Sequence, residues 1–484
     1  MNIRPYAFSI TRSRLFVLAV AFLTLATTAA AETQSLETLL AYLKSPNVET
    51  RRDAARKLGD RRIRNQLVVE ALVVALRSDD DHQVRMESVE ALGKIKDFSA
   101  LPEMLDAVKD THVDVRRTAV RSLVSLYTEH DIDFITNRRT GWNLFNPFLD
   151  TSDHEIIEPY ITVDPQIITA LGEAARDDRE RDVRVAGIRA LGVLRGSQAI
   201  RHLADVLNSD QDVRIEVLRA FIKIGDPAAG PYLLPFFRDS NPRVRTQAMV
   251  AAGMLKYRPA VEPMLSVYGL GSEKRGSISK VTGRVRGLFS YLPPRDESAL
   301  WGLALIGDER AEQVFVDNMG DKNSHRRQYA FEGLARIGDS RYLDQISRLI
   351  LTEGDSDVKL AQHWALYKMG ARANIRDIVR KLDTDQEQQA REYLLESNSP
   401  EDLFPYVRAS NRTVRRKVID ILGRIGDKDT ARELEPVARS SGAETADDAT
   451  LAIKRIEWRM SGRPRANDEV LRRESRPRRS ANPY

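Results

Sequence analysis

Cysteine is absent from all 484 residues, which excludes disulfides, thiolate metal sites and cysteine nucleophiles. Histidine is scarce, with seven copies at 82, 112, 130, 154, 202, 325 and 363. None forms an HExxH motif or a metal-ligand pair backed by carboxylates. There is no Gly-x-Ser-x-Gly elbow, and no Gly-Lys-Ser/Thr follows the glycines of the one Gly-rich stretch. These absences leave no catalytic residue, metal ligand or cofactor site to name, and the expectation is a chain that is not an enzyme. An excess of one charge is also missing from the body of the chain. The net +5 divides into three arginines and no acids in residues 1–31, seven arginines against three acids in 461–484, and 65 basic against 67 acidic residues, −2, in 32–460. A near-neutral body gives no reason to expect specific nucleic-acid binding.

What is present begins with an export signal. Arg4, Arg12 and Arg14 precede the apolar run Leu15 to Ala26, and Ala29-Ala30-Ala31 precedes Glu32. A positive stretch, a short apolar run and a small-residue cleavage site are the parts of a secretory signal peptide. A run of 12 residues is short of the ~20 that an anchor needs, so cleavage is favoured over an uncleaved inner-membrane anchor. The expectation is an exported, periplasmic protein that starts at Glu32.

The remainder is a repeat. An aspartate or asparagine is followed by Val-Arg, then a small residue, then Leu-Gly-x-Ile, as in Asp81 to Ile95, Val183 to Leu194, Asp210 to Ile224 and Asn411 to Ile425. Its basic residue recurs as Arg51, Arg85, Arg116, Arg184, Arg214, Arg245, Arg295, Arg327, Lys359 and Arg415, with degenerate copies at Glu387 and Ala446. Most spacings are 28 to 34 residues, which is the signature of stacked repeats sharing one core. Val84, Ser88, Ala91, Leu92 and Ile95 fall on one helical stripe, and Asp81 stands at its N-cap. Ile-Gly-Asp at 224–226, 306–308, 337–339 and 425–427 puts glycine where a left-handed cap ends the helix. A less regular first helix precedes each, as in Leu36 to Lys44, Leu67 to Arg77, Ile200 to Leu207 and Tyr342 to Leu351, several carrying proline.

This pattern resembles the HEAT repeat family in its short bacterial, phycobilin-lyase HEAT-like form, over nearly all of residues 35 to 460. The resemblance implies an all-α fold: an α-solenoid, an armadillo/HEAT-like superhelix of about 12 antiparallel helix pairs. It also implies a structural ladder between neighbouring repeats in which Asp81, Asp210 and Asp355 join Arg85, Arg214 and Lys359.

Two spacings break the period. The 68 residues between Arg116 and Arg184 hold an insertion at about 130–165 with Phe134, Trp142, Phe145, Phe148 and Tyr160. These rings are partner anchors, pins holding the loop to its own array, or traces of a decayed helix pair. The 50 residues between Arg245 and Arg295 hold a second insertion at 269–294, where Lys274, Arg275, Lys280, Arg284 and Arg286 outnumber one acid, Glu273. It reads as a contact site for an acidic partner or as a solvated loop. Five residues after the repeat arginine, Arg121, Arg189 and Arg219 start a basic row that Glu90, Glu332 and Asp420 dilute. Nine residues after it stand Lys94, Lys223, Arg336, Lys368, Arg424 and Arg455. The 461–484 tail is basic and of disordered composition; with the second insertion it offers contact to an anionic surface or lipid.

The function this supports is a noncatalytic scaffold that binds a protein partner through its concave face and insertions. The contact candidates are Trp142, Phe145, Phe148, Lys274, Arg275, Lys280, Arg284, Arg286, Arg121, Arg189 and Arg219. The alternative is a lyase-like or other enzyme of the same repeat family, acting on a chromophore-bearing or modified protein.

Overall fold

A computed structural model describes residues 35–128, 156–269, 293–440 and 443–461. Residues 1–31, the tail from 462, Phe134, Trp142, Phe145 and Phe148 of the first insertion, and the five basic residues of the second lie outside them. The described residues form helices and no β-strand. Twelve second helices recur: Val48–Asp60, His82–Ile95, Val113–Ser125, Arg181–Val193, Arg214–Ile224, Pro242–Met254, Arg295–Ile306, Ser324–Ile337, Ser356–Lys368, Glu387–Leu395, Arg412–Ile425 and Ala443–Ser461. Each is preceded by a first helix, shorter in every pair but the fourth, where Pro165–Asp177 equals it at 13 residues, and the pairs are numbered repeats 1 to 12. The degenerate copies at Glu387 and Ala446 are therefore true repeats. The chain divides into two compact bodies, one ending at Glu103 and one starting at Met104.

Local chemistry sets the helix ends. Asn47, Asp81, Asn241, Asn323, Asp355 and Asn411 each accept a backbone N–H from the first turn of their second helix. Gly225, Gly307 and Gly338 end theirs at φ of 71°, 66° and 76°, as Ile-Gly-Asp predicts. Asp226, Asp308 and Asp339 then cap the next turn. Gly426 departs from the expectation at φ −67°. Helix Lys428–Ala438 starts at once with a capping box of Asp427 and Thr430, so the chain leaves extended and no left-handed turn forms. Prolines reshape two first helices, Pro227–Arg238 with Pro231 and Pro235, and Pro400–Arg408 with Pro405, into 3₁₀ windings. Proline removes the N–H that an α-turn needs.

Small residues bring the second helices together. In the amino-terminal body a Cβ on Gly59 would stand 2.6 Å from Ala91 Cα, so repeats 1 and 2 touch backbone to side chain there. In the carboxy-terminal body a Cβ on Gly253 would meet Gly302 O at 2.8 Å, which locks repeat 6 to repeat 7 across the second insertion. Leu92, Leu171, Leu191, Phe221, Leu303, Phe331, Trp364 and Leu422 fill the apolar layer between the helices.

The arginine ladder exists, with different acids. Arg51 Nε is 2.6 Å from Asp79, Arg116 Nε 2.6 Å from Asp178, Arg184 Nη2 2.8 Å from Asp210, Arg214 Nη1 3.1 Å from Asp239 and Arg327 Nη2 2.8 Å from Glu353. Asp79, Asp178, Asp239 and Glu353 sit two residues before the N-cap of the next second helix, while Asp210 caps the 3₁₀ turn Gln211–Val213 that precedes its helix. Asp81 and Asp355 are N-caps instead, Asp210 receives Arg184 and not Arg214, and Lys359 is exposed and outside the ladder. An N-cap carboxylate points at its own helix turn, which leaves the acid two residues earlier to face the neighbour. Each of Arg51, Arg116, Arg184 and Arg327 also donates through Nη1 to carbonyls of its own turn. Arg116 reaches Asp178 past the whole first insertion, so the stack closes over it.

Candidate functional site

In the carboxy-terminal body the C-terminal ends of the second helices converge. Tyr393 Oη donates to Glu332 at 2.6 Å from two repeats away, and Arg336 of repeat 8 meets Glu396 of repeat 10 at 2.7 Å. Lys256 of repeat 6 lies 3.7 Å from the same Glu396. Contacts that skip repeats require a tightly curved stack with these helix ends on its inner side.

Glu396 is the first centre of this inner face. Arg336 grips it through Nε and Nη2, and Lys368 Nζ donates to its backbone carbonyl at 3.1 Å. Arg336 lies 4.8 Å from the Trp364 ring, which stacks on Tyr393 at 4.3 Å. Burial pushes the Glu396 carboxyl up, but the charge of Arg336, with Lys256 and Lys368, outweighs it and holds the pKa below the usual value. Lys256 goes the other way, lowered to about 8 by desolvation and by Arg336. Its side chain remains 50% exposed. Desolvation also lowers Lys368.

The second centre is built on Glu158, in the described end of the first insertion. Ile157 N donates to Val193 O and Arg195 Nε to Ile157 O, both at 3.0 Å, which moors this strip to repeat 4. Its other side meets the last repeats: Arg455 is 3.2 Å and Arg424 3.8 Å from Glu158, and Tyr160 lies 5.3 Å from the Trp458 ring. For Tyr160 the pinning role is the one realised. Asp420 draws Arg455 at 2.6 Å and Arg391 and Arg424 at 3.3 Å; burial would raise its pKa, yet these arginines hold it low. Arg195 is lowered by burial and by the like charge of Arg424. Glu392 joins the two centres: burial raises its pKa, with Arg391, Glu396, Arg424 and Arg336 all acting on it. Arg459 donates to Gly423 O at 3.1 Å and closes the end. Together these contribute eight cations (195, 256, 336, 368, 391, 424, 455, 459) and, with Asp427 beside Arg459, six carboxylates (158, 332, 392, 396, 420, 427), an excess of two.

Of the three predicted arginines in described residues, none joins this centre. Arg121 is half-buried on Val113–Ser125. Arg189 is held by Glu216 at 3.0 Å, and buried Arg219 lies 3.9 Å from the same acid. The row nine residues after the repeat arginine supplies Arg336, Lys368, Arg424 and Arg455. Lys256 and Arg195 were missed, though a signal exists. They occupy φ of 53° and 48° at the position where Gly225, Gly307 and Gly338 stand in other repeats. Arg62 and Lys96 take the same left-handed conformation at φ 49° and 58°, so a basic residue is the recurring alternative to glycine at this position.

Residues 36–124 match the family described as HEAT repeats. The same kind of helix pair recurs through the described residues, which have an all-α solenoid fold. The phycocyanobilin lyase subunit alpha of Picosynechococcus sp. is 22% identical over 260 residues, 52% of this chain and 88% of that protein. Among solved structures, the CpcE–CpcF complex of phycocyanin lyase from Nostoc sp. PCC7120 is similar at 19% identity and a TM-score of 0.25, covering 70% of this chain and 96% of that one. Importin beta is similar at 12% identity and a TM-score of 0.42, covering 88% of this chain and 62% of that one.

Proposed function

We propose that the protein is an exported, noncatalytic HEAT-repeat scaffold that binds a protein partner through its inner face, with the two insertions adding contacts. The observation that carries the reading is the inner face itself, where cations outnumber carboxylates and Lys256 and Arg424 keep substantial exposure. A stack that only had to hold together would bury apolar side chains there. Export is supported by Arg4, Arg12, Arg14, the Leu15 to Ala26 run and Ala29 to Ala31; the test is the mature amino terminus, expected at Glu32 by mass spectrometry.

The partner test is crosslinking of the mature protein in its native host, with the crosslinked residues mapped. Reproducible links from one protein to the inner face or to residues 269–294 are expected. A second reading, a lyase-like role on a chromophore-bearing protein, has one observation in its favour, the 22% identity to a phycocyanobilin lyase subunit over half of the chain. No partner, together with a bound chromophore in the purified protein, would replace the scaffold reading by that one.

A further inference from the structure

We infer that Ile157 to Tyr160 form a clasp: a strap moored on repeat 4 that catches repeats 11 and 12 through the Glu158 carboxylate, holds the carboxy-terminal body closed, and lets it open when that one carboxylate is released. The inference concerns the body's own conformation and does not depend on the scaffold reading.

Sequence distance is the first observation. Repeats 4 and 11 are seven apart, roughly 60 Å along a stack whose helices pack about 9 Å from their neighbours. Among the described residues no helix of repeat 4 packs along a helix of repeat 11 or 12, and the strap is what spans them. The stack comes round on itself, and repeats far apart in the chain meet at one short segment.

The two sides of the strap are held differently. On the near side Ile157 N donates to Val193 O, Arg195 Nε to Ile157 O and Asp164 N to Tyr127 Oη, each at 3.0 Å, and Ile157 and Val163 are buried. Toward the last repeats Glu158 stands 3.2 Å from Arg455 and 3.8 Å from Arg424, and the Tyr160 ring lies against Trp458 at a tilt of 56°. All three ion-pair side chains keep some contact with water. Partly exposed ion pairs are individually weak and screened by salt, so the catch lets go before the mooring does.

Charge makes Glu158 the latch. Its carboxylate acts on Arg195 of repeat 4 and on Arg424, Arg455 and Arg459 of repeats 11 and 12. Asp420 and Asp427, the other acids beside these arginines, lie in repeat 11 and in the turn after it, so they hold the last repeats to one another and not to repeat 4. Arg195 already feels Arg424 as a like charge. With the Glu158 charge removed, repeats 4 and 11 present arginine to arginine, and like charges repel.

The test uses the full chain, which has no cysteine of its own. Gln198→Cys, in the exposed turn after the second helix of repeat 4, and Met460→Cys, exposed in the second helix of repeat 12, carry nitroxide labels whose separation is read by pulsed electron resonance. One narrow separation, with at most about 10% of longer distances, is expected for the parent. Glu158→Lys should move about half of the molecules or more to separations longer by at least one helix spacing, about 8–10 Å. Glu158→Gln, which keeps the shape, should give a smaller shift of the same sign, and so should about 1 M salt on the parent. Circular dichroism records the helix content of each variant; should Glu158→Lys fail to fold, Glu158→Gln decides. A broad distribution already in the parent, or separations unchanged by the Glu158 substitutions, would overturn the inference.

Discussion

Arg116→Met tests whether the ladder carries the stack across the first insertion. Arg116 places Nε and Nη2 on Asp178 at 2.6 and 3.0 Å and Nη1 on the carbonyls of Asp110 and Thr111 at 3.0 and 3.2 Å, with both side chains 7% exposed. Methionine keeps the apolar stem and removes all four bonds. Breaking a buried pair by deleting one partner costs about 3–5 kcal/mol. Asp178 keeps the Glu180 N–H at 2.8 Å, so the low end, about 3 kcal/mol, is expected. Repeat arrays need not unfold in one step, so the assay is native-state hydrogen exchange of amides in Val113–Ser125 and Arg181–Val193, read as opening free energies. Asp178→Asn closes a double-mutant cycle, with a coupling of about 2 kcal/mol expected. A loss under about 1 kcal/mol, or zero coupling, would refute the ladder as a structural member.

Other perturbations separate the remaining parts. The hydrogen bonds of Arg310, helped by its backbone N–H and by Arg258, lower the Asp308 carboxyl to about 2. A depressed carboxyl stabilises above its unfolded value of 3.8 and loses that contribution as pH falls toward 2; Asp308→Asn should flatten this limb of the stability curve, and an NMR midpoint near 3.8 would refute it. Lys256, lowered to about 8, binds its proton less tightly folded than unfolded. It therefore disfavours the fold below about pH 8, and this is relieved as pH rises from about 8 toward 10.5; a midpoint near 10.5 for its ¹³C-methylated amine would contradict its desolvation. Gly307→Ala puts a Cβ 2.2 Å from Arg336 Cβ at φ 66°, and roughly 2–4 kcal/mol should be lost in a urea titration; a loss under about 1 kcal/mol would show that the contact relaxes freely.

Period and composition made the architecture legible, because each repeat writes its own stripe, cap and stop. Asp81 as N-cap and Gly225, Gly307 and Gly338 as left-handed ends follow from local geometry alone. The acid of the ladder was misplaced by two residues because capping and neighbour pairing compete for the same aspartates, and only the direction of the side chain decides between them. The inner face was half legible. Its basic row at Arg336, Lys368, Arg424 and Arg455 can be read by aligning repeats. The carboxylates that pair with it cannot, since Glu158 precedes Arg455 by most of the chain and Glu396 receives Lys256 from four repeats earlier. Those distances are set by curvature, which sums small rotations at every repeat interface and leaves no single motif.

The placement of Lys256 and Arg195 bears on why the inner face is charged at all. Each holds a left-handed backbone that costs a non-glycine residue on the order of 1 kcal/mol, at a position where Gly225, Gly307, Gly338 and Gly370 stand in other repeats and Arg62 and Lys96 in two more. Each has one hydrogen bond to a backbone carbonyl, Leu305 O for Lys256 and Ile157 O for Arg195, worth about 1 kcal/mol net. Strain and bond roughly cancel, which leaves the charge of each residue, and for Lys256 its pairing with Glu396, to decide the balance against glycine. Their charges sit where burial lowers both pKa values and where like-charged Arg336 or Arg424 stands nearby, which is unfavourable for the isolated protein. Lys256→Gly and Arg195→Gly should accordingly leave the thermal midpoint within a few degrees of the parent or raise it; a large fall in midpoint would make both residues structural.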